Sequence, residues 1–151
     1  SMKLTYKLLI LFLVVLAACG KPSDQNGGEM GNEDANEDPN QALYDQVMNL
    51  HDEVMPKMED IYKIKSQLQE KIANSPDLVK ERKEALERMI LTLDSANNSM
   101  MDWMHQFNPL PDSVDEEQSR AYLESQMEKI REVKEIMITT LEEAKAEAAK
   151  N

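Results

Sequence analysis

The sequence has a single cysteine, only four glycines and only two histidines, and these shortages remove most catalytic chemistries before any residue is placed. One cysteine cannot form an internal disulfide, a Cys-x-x-Cys redox pair or a thiolate zinc cluster. Every glycine precedes Asn32, so the remaining chain has no Gly-rich loop to cradle a phosphate. His51 and His105 are the only imidazoles, and no serine stands in a nucleophile-elbow pattern. Paired carboxylates are plentiful, but on helix surfaces they are the ordinary solvated arrangement. No enzymatic activity is expected. Basic residues are also scarce: 17 Lys and Arg stand against 29 Asp and Glu, a net charge of −12. Nucleic acid is therefore excluded as a partner, because phosphate backbones require a basic face.

The chain has one long apolar run, Leu8 to Leu16, preceded by Lys3 and Lys7 and followed by Ala17, Ala18 and Cys19. The run is about half the roughly 20 residues a membrane-spanning helix needs. A basic start, a short apolar core and small residues before a cut site describe a secretory signal peptide over residues 1–18. The four residues Leu16-Ala17-Ala18-Cys19 resemble the lipobox of bacterial lipoproteins. That resemblance implies a diacylglyceryl group on the Cys19 thiol, cleavage before Cys19 and membrane attachment through the lipid, palmitate-type acyl chains included. Two or three chains anchor firmly where one does not. Gly20 follows Cys19 where an aspartate would retain a lipoprotein in the inner membrane, which points to the outer membrane, facing the periplasm or the surface. Residues 19–40 are rich in Gly, Asn, Asp and Glu, with Met30 the one large apolar side chain. Nothing in them offsets the entropy of ordering, so they read as a disordered acidic tether with a reach of roughly 25 Å.

From Gln41 to Asn151 the pattern is helical throughout. Leu43, Val47, Leu50, Val54, Met58, Ile61, Leu68 and Ile72 recur at spacings of three, four and seven. Asp38-Pro39 supplies a cap and a first-turn proline, and Pro56 should free the Asp52 carbonyl and kink the helix. Asn74-Ser75-Pro76-Asp77 reads as a second helix start, with Leu78, Leu86, Met89, Leu93, Met100, Met104 and Phe107 as the stripe. Pro109 and Pro111 enforce a turn, and Ser113 to Glu116 reads as a capping box. The third stripe is Leu123, Met127, Ile130, Val133, Met137, Leu141, Ala144 and Ala148. The expected fold is all-α: an antiparallel three-helix bundle over 41–151 with coiled-coil-like packing. Its helices should span about 40–73, 76–107 and 113–149 and reach about 50 Å. A longer coiled coil that self-associates through the same stripes is the alternative.

Methionine is over-represented, with eleven in the chain. Met48, Met55 and Met58 surround His51, and Met100, Met101 and Met104 adjoin Trp103 and His105. His51 and Met55 are four apart, as are Met101 and His105, so each pair shares a helix face. A turn near Ser75 would set position 51 level with about position 99, drawing the thioethers and both imidazoles to one end. Thioethers with imidazole suit Cu(I). The same residues also make an ordinary flexible core, and His/Met ligation of haem is a further alternative.

The segments Leu50 to Met58 and Met100 to His105 resemble small helical lipoproteins of Bacteroidetes-type bacteria, some labelled "viral A-type inclusion protein". The resemblance covers about residues 41–145 and implies a fold and a compartment, with no activity attached. Two functions follow. The first is a non-enzymatic interaction module that binds an envelope protein or itself through an exposed stripe, expected around Ile136, Ile138 and Thr140. The second is a periplasmic or surface Cu(I) binder using the Met/His cluster.

Overall fold

The computed structural model describes residues 38–150. The signal run Leu8–Leu16, Cys19 and the tether up to residue 37 lie outside the described residues. Three helices follow in order, α1 (Pro39–Ala73), α2 (Lys80–Gln106) and α3 (Glu116–Ala149), and they pack as an all-α bundle. Polar links fix the directions. Asn97 Nδ2 donates to the Met58 carbonyl at 3.3 Å and Lys65 pairs with Asp94 at 2.5 Å, so α2 returns antiparallel to α1. Asn40 Nδ2 donates to the Glu116 carbonyl near one end, and Lys71 Nζ donates to the Ala148 carbonyl near the other. α3 therefore runs parallel to α1. No helix of the described residues is long and apolar enough to cross a membrane.

The boundaries follow from local chemistry, with two corrections to the expected starts. Asp38 caps α1 as expected, its side chain accepting from the Asn40 N–H at 3.0 Å, with Pro39 in the first turn. The helix then continues through Pro56, whose ring is exposed. The second helix does not begin at residue 76. Ser75 to Leu78 closes a turn, Leu78 N–H donating to the Ser75 carbonyl at 3.1 Å, and α2 starts only at Lys80. A proline at the second position of a four-residue turn with Asp after it favours that turn as much as a helix start. The capping box at Ser113 does not form either. The Val114 N–H is taken by the Pro111 carbonyl at 2.9 Å, and Asp115 occupies the cap of α3 without a side-chain bond.

The core is the merged stripe of all three helices. Val47, Val54, Ile61 and Leu68 meet Leu86, Leu93, Ala96 and Met100, with Ile130, Met137, Leu141 and Ala144 completing each layer. Full burial of one such side chain contributes about 1.5–3 kcal/mol. The end of the bundle near residue 150 is held electrostatically. α3 has no basic residue in its last turn, but Arg82 donates to the Glu147 carbonyl and pairs with its carboxylate, while Lys71 donates to the Ala148 carbonyl. Cations from α1 and α2 thus satisfy the carbonyls that a helix C-terminus leaves open.

Candidate functional site

The opposite end of the bundle gathers the aromatic side chains. Phe107, the residue that caps the end of α2, stacks on Trp103 at 4.8 Å, on Tyr44 of α1 at 6.1 Å and on Tyr122 of α3 at 6.2 Å. Every aromatic side chain of the described residues except Tyr62 belongs to this stack. Tyr122 is fixed further, because its hydroxyl accepts from the Asn108 N–H at 2.7 Å.

His51 joins the stack from the side, its ring 5.9 Å from Trp103 and tilted. It lies one turn beyond Val47, at the edge of the α1 stripe, with its side chain 18% exposed. Nδ1 sits 2.9 Å from Asp52 Oδ1, and a carboxylate only accepts, so Nδ1 carries a proton and donates it. Nε2 lies 3.2 Å from the Met104 Sδ across the α1–α2 seam. The two methionine-rich segments do meet, but in a different register from the expected one. Position 51 stands level with 104 instead of 99, because the connection occupies residues 74–79 and does not pivot at Ser75.

The shift changes which members of the cluster converge. Met104 faces α1. His105, turned about 100° further around the helix, is exposed, and Met101 is 39% exposed. The second imidazole therefore does not join the first. Met100 is fully buried in the core, and Met55 and Met58 are half-buried against it, with Met48 half-buried on the same helix. The eight-residue cluster contracts to His51 and Met104 as the pair in contact. Among the described residues no three His, Cys, Asp or Glu side chains converge as a metal site.

The sequence reading missed a groove at the same end. It encloses about 460 Å³ between the start of α1, the α2–α3 loop and the start of α3. Tyr44, Tyr122, Pro109 and Leu110 supply its apolar surface, and Asp38, Asp112 and Glu116 its carboxylates. No Lys, Arg or His lines it. The signal available was the Asn108-Pro-Leu-Pro111 string, which cannot continue a helix and must bulge beside whatever Phe107 and Tyr122 pack against. The expected apolar patch on α3 is present only in part. Ile136 and Ile138 are exposed, whereas Thr140 turns inward and is buried.

Compared with family models, with curated proteins and with solved structures, the chain matches none.

Proposed function

We propose that this chain is a non-enzymatic binding module of the bacterial envelope, anchored by lipid on Cys19 and carried on the segment between Cys19 and α1. Its aromatic end takes an extended basic segment of a partner protein. The observation behind this reading is the groove at that end, whose ionisable lining beyond its tyrosines is wholly carboxylate and whose walls are two tyrosines held by one phenylalanine. Tyrosine faces attract Lys and Arg side chains, and preordered walls reduce the entropy lost on binding. The surplus of acid over base elsewhere would speed the approach of a basic segment. A groove of this kind needs no moving part and no reactive group, which suits a chain with little catalytic inventory.

The test is site-specific photocrosslinking in cells. Replacement of Leu110 by p-benzoylphenylalanine should capture a segment rich in Lys or Arg, and the adduct should disappear when Asp112→Asn and Glu116→Gln are combined. The same probe at Tyr62, on the side of α1, should capture nothing. Adducts formed only from Ile138, on α3, would move the binding surface to the exposed apolar patch and overturn the reading.

A further inference from the structure

The contact between His51 and Met104 pairs two atoms that do not attract one another while the imidazole is neutral. With Nδ1 donating to the Asp52 carboxylate at 2.9 Å, the neutral ring directs a lone pair from Nε2. Met104 Sδ, a thioether with no hydrogen of its own, stands 3.2 Å away and also offers lone pairs. Two electron-pair donors at this separation call for a Lewis acid between or beside them. A proton on Nε2 is one solution. The other is a soft metal ion.

We propose that His51 Nε2 and Met104 Sδ are ligands to a monovalent soft metal, Cu(I). Imidazole and thioether are donors that suit Cu(I) and are poor ligands for Ca(II) or Mg(II). Bond lengths of about 2.0 Å to nitrogen and 2.3 Å to sulfur, at a tetrahedral angle, separate two donors by about 3.5 Å. The observed gap is a few tenths of an ångström short of that, within reach of a small rotamer adjustment of a flexible methionine. Asp52 completes an arrangement common at metal centres, in which a carboxylate holds the distal N–H of a ligating histidine and fixes its tautomer. The Trp103 ring lies 5.9 Å from the His51 ring and packs beside the pair. Met48 and Met55, three before and four after His51 on α1, are placed on the same face as further thioethers.

Binding replaces the Nε2 proton, where one is present, and releases it to solvent; no change of oxidation state is involved. The site is separate from the groove, since neither His51 nor Met104 lines it, so either assignment can fail alone.

The experiment is an anaerobic Cu(I) competition titration of the whole chain against bicinchoninate, with Zn(II) as control. One equivalent of Cu(I) should bind. His51→Gln and Met104→Leu should each weaken binding by more than about tenfold, and His105→Gln and Met89→Leu should leave it unchanged. Circular dichroism checks that each variant keeps its helices. Should a variant unfold, the unsubstituted chain with Ag(I), a redox-inert stand-in, gives a second measurement: the His51 Nε2 nitrogen resonance must move and that of His105 must not. Equal affinity in the His51 and Met104 variants, or loss of binding through His105 alone, overturns the assignment.

Discussion

His51 on α1 and Met104 on α2 meet nitrogen to sulfur at 3.2 Å although 53 residues of chain separate them. The register that brings them together is set by the seam below. Asn97 holds the Met58 carbonyl, Lys65 holds Asp94, and the buried layers of Val54, Ile61 and Leu68 against Met100, Leu93 and Leu86 allow no slip of a turn. A shift by one residue would swing Met104 about 100° away from His51. The pair is thus a product of the core, although its chemistry lies at the edge.

In the proposed site Asp52 would act on the metal through His51. Asp52→Ala removes the acceptor that fixes the Nδ1 proton, and Cu(I) affinity should fall about tenfold. The helix content and the urea midpoint should not move, because the Asp52 side chain is 73% exposed and pairs with its neighbour His51 on the same helix. Competition titration and urea unfolding of the same variant separate a positioning role from a structural one.

Arg82 should matter more to stability than any other surface cation. Its guanidinium and the Glu147 carboxylate are 16% and 14% exposed, and it also supplies donors to the end of α3. Arg82→Met leaves the Glu147 carboxylate, 14% exposed, with Lys150 at 2.7 Å as its remaining cation, a cost of about 1–2 kcal/mol after allowance for residual solvent. Lys80→Met, which removes a partner of Glu84 at 3.7 Å on the open surface, should leave the urea midpoint unchanged.

Phe107 is the hub of the aromatic end, touching Tyr44, Trp103 and Tyr122. Phe107→Ala should cost about 2–4 kcal/mol. It should also shift the emission of Trp103, the only tryptophan, to longer wavelength as water reaches the indole. Ile138→Ala, at an exposed position on α3, should change neither.

Groove binding should be salt-sensitive if carboxylates recognise a basic segment. Raising ionic strength shortens the Debye length from about 10 Å at 0.1 M to about 3 Å at 1 M. Crosslinking from Leu110 should therefore weaken several-fold over that range, and unchanged crosslinking would assign the partner's hold to apolar contacts.

The three-helix fold was legible because apolar spacing is a direct imprint of the core: the α3 stripe from Leu123 to Ala144 is buried at every position named from sequence. Helix starts were less legible. Ser75-Pro76-Asp77 and Ser113 fit both a cap and a turn, and only the tertiary position of α2 and α3 decides between them. That ambiguity displaced the register by more than one turn and brought Met104, in place of position 99, level with His51. The composition of the cluster could be read from sequence, but its membership could not. Whether His105 faces α1 depends on the angle at which α2 presents itself, a property of packing. The groove was hidden for the same reason: Tyr44, Leu110 and Tyr122 are far apart in sequence and neighbours only once the helices associate.

Both proposed ligands bind at the His51–Trp103–Phe107 end of the bundle. Methionine ε-methyl NMR of the unsubstituted chain separates the alternatives, because the helical methionines run from Met48 and Met104 near His51 to Met89 in the first half of α2. With one equivalent of Ag(I), the Met104 methyl should shift most, and Met89, nearer the other end of α2, should stay in place. A stationary Met104 resonance, or a largest shift at Met89 or Met101, would contradict the account.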